Sequence, residues 1–131
     1  MGAASRDPEA FLPLTTAEIY ILVALVGADL HGYSIMQEIL TRTGGHVRIG
    51  PATLYRSIKR LLQGDLIEEI DERPDPRSDD ERRRYYRLTE LGRRVTCAEV
   101  SRLEAIVDDA YSKKLMPGGD RSADARKVER R

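Results

Sequence analysis

The stretch GPATLYRSIKRLL, Gly50–Leu62, decides how the rest of the sequence is interpreted. Pro51 suits the first turn of a helix, where the N–H that proline lacks would have no intrahelical partner. Apolar residues then recur at helical spacing and define a face for a core: Leu54, Ile58, Leu61 and Leu62. The remaining face is basic and contains no acid. The stretch therefore predicts a helix that packs by one face and presents positive charge on the other.

This basic face is unusual because the 131-residue chain is neutral, with 22 basic and 22 acidic side chains. Between Glu38 and Asp65 there are five basic residues and no acid. Nucleic-acid contact in such a chain depends on local clustering of this kind rather than on a field of the whole protein. The candidate DNA-contacting residues of the helix are Thr53, Tyr55, Arg56, Lys59 and Arg60. An ordinary solvated face is the alternative for the basic residues, and packing at the helix edge is the alternative for Tyr55.

Two helices are predicted before this stretch. The first, in LTTAEIYILVALV, begins with Thr15 or Thr16 as its cap, and its predicted core stripe is Ile19, Leu22, Val23 and Val26. The second, in HGYSIMQEILTRT, has the predicted apolar face Tyr33, Met36, Ile39 and Leu40, and His31 is expected to cap it or to pack in the core. The following HVRI is either a short strand or an extended connector.

Two short strands and a long helix are predicted after it. The segments LIEEI and RYYRLT read as the arms of a hairpin with a long polar tip. Arginines of the returning arm are candidate phosphate contacts, with a solvated loop of internal ion pairs as the alternative: Arg82, Arg83 and Arg84. The long helix, capped by Thr89, has an apolar stripe with little left to pack on within one chain, which suggests a partner subunit. That stripe is Val100, Leu103, Ile106, Val107, Ala110 and Tyr111.

The order of elements predicts a mainly α protein with a winged helix-turn-helix DNA-binding domain and a C-terminal dimerisation helix. In this design the third helix enters the major groove, and the hairpin reaches the backbone or the minor groove. The expected division is a flexible segment over residues 1–13, the winged domain over 14–89, the dimerisation helix over 90–116 and a disordered tail over 117–131.

Four segments together resemble the PadR family of transcriptional regulators: LTTAEIYILVAL, HGYSIMQEI, GPATLYRSIKRLLQGDLIEE and RRRYYRLTELGRRV. The resemblance implies a homodimeric repressor of a partly palindromic double-stranded DNA operator, released by a small aromatic or drug-like effector. It also implies DNA contact by Thr53 and Tyr55, which match the family's TLY motif. Two positions depart from the pattern: Ala52 stands where many members have Gly, and Asp65 replaces the Gly of the following turn.

Other classes of function are disfavoured by composition. The single cysteine, Cys97, excludes an intramolecular disulfide and a multi-cysteine metal site, and we expect it to be buried or half-buried. With two histidines and no Gly-rich phosphate loop, we expect neither an enzyme nor a cofactor. The longest apolar run, IYILVALVGA, is too short to cross a bilayer, so a soluble cytoplasmic protein without a membrane partner is expected. A winged helix that binds protein instead of DNA is the remaining alternative.

Overall fold

A computed structural model describes residues 6–70 and 84–115. A 3-10 helix, Pro8–Phe11, precedes the main elements, which are α1 Thr16–Ala24, β1 Leu30–His31, α2 Gly32–Arg42, α3 Pro51–Gln63, β2 Ile67–Ile70, β3 Tyr85–Leu88 and α4 Glu90–Ser112. The predicted mainly α winged-helix architecture is confirmed. The hairpin tip over 71–83 and the tail over 117–131 lie outside the described residues.

The small sheet has three antiparallel strands in the order β1-β3-β2. The two predicted arms pair from Ile67 opposite Leu88 to Ile70 opposite Tyr85. The third strand, β1, was not predicted, because two residues are too few to show an alternating pattern. By pairing Leu30 with Tyr86, β1 fixes the connection between α1 and α2 to the hairpin.

The hydrophobic core lies among the first three helices, the sheet and the start of α4. Its fully buried members include Ile21, Leu22, Ile35, Leu54, Leu61, Ile67 and Val95. Burial of one such side chain stabilises the fold by about 1.5–3 kcal/mol. The predicted core stripe of α3 is confirmed, since Leu54, Ile58 and Leu61 are buried and Leu62 is half-buried.

The predicted core stripe of α1 is wrong for two residues. Val23 and Val26 are 48% and 49% exposed, whereas Ile21 and Leu25 are buried. The sequence of α1 is apolar almost all round, so its period does not select a face. Because α1 packs against α2, α3 and α4, its burial is set by three neighbours rather than by one stripe.

The start of α2 also differs from the prediction. Tyr33 is exposed, and Ile35 is buried beside the core residue Ile39. His31 is the helix cap, as expected, because its Nδ1 accepts a hydrogen bond from the Ser34 N–H at 3.2 Å. The HVRI segment contains no strand and is an extended connector to α3.

The described part of the predicted flexible segment is ordered against the domain. Asp7 caps the 3-10 helix by accepting from the Glu9 N–H at 3.0 Å, and Pro8 occupies its first position. This helix packs on α4, and the Phe11 ring lies against the hydrophobic core. This anchor was not predicted, because one aromatic residue within four gives no periodicity.

Helix α4 has two different halves. In the first half Leu91 and Val95 are buried, and Gly92 passes so close to Leu66, the residue before β2, that an added Cβ would lie 1.9 Å from the Leu66 carbonyl oxygen. Thr89 caps the helix as predicted, accepting from the Gly92 N–H at 2.9 Å. The second half extends away from this contact and ends at Ser112, so residues 113–115, predicted as helix, lie beyond its end.

Candidate nucleic-acid interface

The exposed face of α3 brings the predicted DNA-contacting residues of this helix together. All of them are exposed on it: Thr53, Tyr55, Arg56, Lys59 and Arg60. The helix begins at Pro51, and its N-cap residue Gly50 makes no side-chain capping bond, so no capping side chain stands over the backbone N–H groups of the first turn. Exposed small residues, Ala52 and Thr53, follow Pro51 in that turn. The beginning of α3 is thus an open, uncrowded helix end that a phosphate or a base edge can approach.

Arg56 and Lys59 provide the charge in the middle of this face. Both side chains are exposed, and within residues 6–70 and 84–115 neither makes an ion pair. The nearest residues in sequence on the helix contain no acid that could neutralise them. Within the described part of the chain, an anionic partner would therefore break no ion pair of these two cations.

Arg60 differs from its two basic neighbours. Its Nε lies 3.5 Å from Oε2 of Glu18, a carboxylate on α1 that is only 5% exposed. The arginine side chain itself remains 63% exposed. Arg60 was grouped with Arg56 and Lys59 in the prediction, because no local pattern indicates a partner 42 residues away in the chain.

Tyr55 is held between α3 and the start of α2. Its ring lies against Gly32, where an added Cβ would be 2.3 Å from the Tyr55 hydroxyl oxygen. Half of the tyrosine side chain is nevertheless exposed. Packing at the helix edge is therefore one role of Tyr55, and its contact with DNA stays a prediction. The close approach explains the glycine of the HGY segment, since any other residue there would displace the ring.

The hairpin carries ion pairs rather than unpaired cations at its base. Arg84, the one predicted wing arginine among the described residues, pairs across the hairpin with Glu69. Arg82 and Arg83 lie outside that part of the chain. The pairing of Arg84 agrees with the alternative of internal ion pairs, at least for this residue.

A second ion pair joins β3 to the end of the α1–β1 connection. Arg87 binds Asp29 with two nitrogens, Nη2 to Oδ2 at 2.9 Å and Nε to Oδ1 at 3.2 Å. This hydrogen-bonded guanidinium lowers the pKa of the Asp29 carboxyl below its ordinary value. Neither residue was singled out from sequence, because two charges 58 positions apart give no local signal.

The second half of α4 leaves the predicted dimer stripe uncovered. Val100, Ile106 and Val107 are exposed, and the remaining members Leu103, Ala110 and Tyr111 are half-buried. Val23 near the end of α1 and Val26 just after this helix are also exposed and add to the apolar surface of the chain. Such a surface is typical of a protein contact, so dimerisation stays a prediction that the exposed residues favour.

A groove separates α1 from α4 beside this stripe. Its volume is about 470 Å³, and its lining includes Leu14, Ile19, Tyr20, Val23, Leu103 and Arg102. The lining is mostly apolar, and its two charged side chains, Arg102 and Glu99, are paired with each other. The volume lies in the range found for small-molecule sites.

Two further sequence expectations bear on the chemistry of the surface. Cys97 is exposed, and the expectation that it is buried or half-buried was wrong because α4 turns this position away from the domain. Among residues 6–70 and 84–115, no three His, Cys, Asp or Glu side chains are grouped as metal ligands. No helix within those ranges is both long and apolar enough to cross a membrane.

A family model identifies the family of the chain. A model of the transcriptional regulator PadR-like family matches residues 21–98. An uncharacterized protein of Lysinibacillus sphaericus is 40% identical over 73 residues, which are 56% of this chain and 64% of that protein. The matched regions cover less than two thirds of the curated relatives, 64% of this one and 20% of another.

Solved structures share the fold. A transcriptional regulator from Clostridium thermocellum superposes with a TM-score of 0.57 at 26% identity, covering 71% of this chain and 87% of the other. A PadR family transcription regulator from Clostridium difficile superposes with a TM-score of 0.59 at 24% identity, covering 78% of this chain and all of the other (100%).

Proposed function

Because the chain belongs to the PadR-like family of transcriptional regulators, we propose that it is a homodimeric repressor of a specific double-stranded DNA operator. The proposal assigns DNA binding to residues 14–89 and dimerisation to residues 90–116. The observation that carries it is the exposed face of α3, which holds cations and no acid in a chain without net charge. Family members of this kind are regulators and not enzymes in general, and we propose no catalytic role.

The first turn of α3 is proposed to dock in the major groove. Gly50, Ala52 and Thr53 are small, so the backbone N–H groups of this turn can come close to a phosphate or a base edge. Thr53 supplies a hydroxyl for a base or a phosphate. Ala52 adds only a methyl group where many relatives have none, which suits contact with a thymine methyl.

Arg56 and Lys59 are proposed to make the strongest contacts. An arginine reads guanine with two hydrogen bonds, each such pair contributing about 1–3 kcal/mol of discrimination. A lysine neutralises phosphate and adds affinity without sequence preference. Both side chains are exposed and lack ion pairs within the described residues, so binding costs no competing contact.

Further residues are proposed to contact the backbone. Arg60 and Arg84 are exposed enough to reach phosphates, although each already has an acidic partner. The Tyr55 hydroxyl lies at the start of α2, where it could donate a hydrogen bond to a phosphate. Arg82 and Arg83 belong to the wing of this proposal, as part of the same basic run.

Dimerisation is proposed to occur through the second half of α4. The stripe there contains exposed Val100, Ile106 and Val107, whose burial against a second copy would remove apolar surface from water. Two-fold symmetry then places two copies of α3 on successive major grooves, about 34–36 Å apart along the duplex. A partly palindromic operator follows from this symmetry.

An effector is proposed to bind in the groove between α1 and α4. Its apolar lining and volume of about 470 Å³ suit a small aromatic or drug-like molecule. The groove lies beside the proposed dimer stripe, since Leu103 belongs to both. A ligand there would change the packing of the dimerisation helix against the winged domain, which is how we propose that DNA is released.

The proposal is tested by fluorescence anisotropy with duplexes from DNA upstream of the protein's own gene. We expect specific binding whose affinity falls steeply with salt, because each neutralised phosphate releases counterions. Arg56→Ala/Lys59→Ala should weaken binding by roughly 1–3 kcal/mol per base-contacting residue. Arg93→Ala, which removes an exposed cation from α4, is the matched control and should have little effect.

Two results would contradict the proposal. A flat salt response would mean that phosphates are not neutralised. Wild-type affinity in the Arg56→Ala/Lys59→Ala variant would mean that this face of α3 does not meet DNA. Stable dimers that bind no duplex would favour the alternative of a winged helix that recognises protein.

A further inference from the structure

Two buried carboxylates have no part in the proposed DNA contacts. Glu18 on α1 is 5% exposed, and Glu99 on α4 is 1% exposed. A buried carboxylate is costly unless hydrogen bonds and an opposite charge compensate its loss of water. Apolar residues would fill either position at a lower cost, so the arrangement of their partners indicates what the two acids do.

The two carboxylates hold adjacent peptide groups. The Leu14 N–H donates to Oε2 of Glu99 at 2.9 Å, and the Thr15 N–H donates to Oε1 of Glu18 at 2.8 Å. A second hydrogen bond joins the same two residues, in which Thr15 Oγ1 accepts from the Glu18 N–H at 3.0 Å. Residues 14–15, which we call the strap, are therefore tied to α4 by one bond and to the first turn of α1 by the next.

Each carboxylate also contacts one arginine side chain. Arg102 on α4 donates to Glu99 from Nε at 2.6 Å and from Nη2 at 3.1 Å. Arg60 on α3 places Nε 3.5 Å from Oε2 of Glu18. Polar contacts thus run without a break from α4 to α3, through Glu99, the strap and Glu18.

We propose that Glu18 and Glu99 are positioning residues that set the placement of α3 relative to α4. This inference rests on the proposed function: in a dimer joined through α4, the distance between the two copies of α3 depends on where α3 lies relative to α4. Helix α1 packs on both α3 and α4, so a shift of α4 that breaks the Glu99–Leu14 bond reaches Arg60 through α1 and the strap. The groove between α1 and α4 is lined by Leu14, Glu99 and Arg102, so its occupant would act on this same set of contacts.

The inference is tested first by Glu99→Gln against Glu90→Gln. Glu90 is an exposed carboxylate in the first turn of the same helix, so both variants lose one negative charge from α4. We expect the full-chain Glu99→Gln dimer to bind the operator duplex about 2- to 30-fold more weakly, the range expected for energetic coupling between distant sites. Glu90→Gln should bind within about twofold of wild type, since it breaks no contact of the strap.

A second measurement needs no DNA. In nitrogen-15 NMR spectra of the free protein, Glu99→Gln should shift the amide resonances of Lys59 and Arg60, and Glu90→Gln should leave them in place. The double variant Glu18→Gln/Glu99→Gln should lose less affinity than the product of the single losses, because both act through one strap. Should Glu99→Gln fail to fold, Arg102→Lys, which loses the two-nitrogen contact and keeps the charge, replaces it.

A folded Glu99→Gln dimer with a lower melting temperature, unchanged amide resonances in α3 and unchanged operator affinity would overturn the inference and leave Glu99 a stability residue only. Failure of the wild-type protein to bind any duplex would instead contradict the proposed function. The two failures are distinguishable because the resonances of α3 report on its placement whether or not DNA binds.

Discussion

Helices α3 and α4 both present an unusual face to solvent, and the two faces are opposite in character. The outer face of α3 is basic, with Arg56 and Lys59 exposed. The outer face of the second half of α4 is apolar, with Val100, Ile106 and Val107 exposed. A basic face binds a polyanion such as DNA favourably, whereas exposed valines are stabilised by burial against another apolar surface. The basic face of α3 is thus suited to nucleic acid, and the exposed apolar residues of α4 are suited to contact with another apolar surface.

The largest expected effect comes from charging the apolar face. Leu103→Glu/Val107→Glu should dissociate the dimer, because like charges would be forced into an apolar contact. Operator affinity should fall by about 100-fold or more, since two linked half-sites bind far more tightly than one. Sedimentation equilibrium measures the mass, and a variant that sediments as an intact dimer would show that this stripe is not the interface.

The next effect concerns the half of α4 that belongs to the domain. Gly92→Ala should destabilise the protein by about 1–3 kcal/mol, because its Cβ would meet the Leu66 carbonyl oxygen at 1.9 Å. The matched control is Gly50→Ala, where nothing lies within 4 Å of the added Cβ. Urea unfolding gives both free energies. Equal stability of the two variants would mean that α4 can move away from Leu66, and the contrast between its halves would be lost.

A smaller effect separates two arginines on α3. Arg56→Ala should weaken operator binding by roughly 1–3 kcal/mol, and Arg60→Ala by less, because Arg60 already shares its charge with Glu18 at 3.5 Å. Anisotropy titrations of both variants at one salt concentration give the difference. A larger loss for Arg60→Ala would place the strongest DNA contact at the end of the helix rather than in its middle.

The smallest expected effect is a pH dependence of folding stability, which comes from the ion pair between Arg87 of β3 and Asp29. Arg87 lowers the folded-state pKa of Asp29, so this pair stabilises the fold above the unfolded pKa of about 3.9. That contribution is lost as the pH falls through the lower folded value. Asp29→Asn should therefore cost under about 1 kcal/mol at pH 7, as is usual for exposed pairs, and the difference from wild type should shrink near pH 3. Urea unfolding at the two pH values measures it, and a difference that does not depend on pH would contradict the assignment.

Helices α3 and α1 differ in how far the sequence predicted their buried faces. In α3 the apolar residues are confined to one stripe, so the prediction of its buried face, including Leu54 and Ile58, is confirmed. In α1 almost every residue is apolar, and the same rule chose Val23 and Val26 wrongly. Periodicity identifies a buried face only where polar residues mark the other side.

The candidate site was predicted to a similar, partial extent. The exposure of the predicted contact residues of α3 follows from the same stripe, since whatever lies opposite the core faces water: Thr53, Tyr55, Arg56, Lys59 and Arg60. The Glu18–Arg60 and Asp29–Arg87 pairs were not predicted, and neither was the contact between Tyr55 and Gly32. Each of these joins residues that are distant in sequence, and no local pattern records such a meeting.

The sequence by itself determined the order of the helices and the two hairpin strands and the buried face of α3. It also determined that basic residues cluster on α3 while the acidic residues lie in other segments, because spacing and charge are local properties of the chain. Only the tertiary structure decided which cations are paired, which side of α1 is buried and that adjacent peptides of the strap are held by Glu18 and Glu99. Those outcomes depend on which helices and strands meet, and several neighbours compete for the same surface. The GPATLYRSIKRLL stretch thus contains a helix face that could be predicted and an arginine whose partner could not.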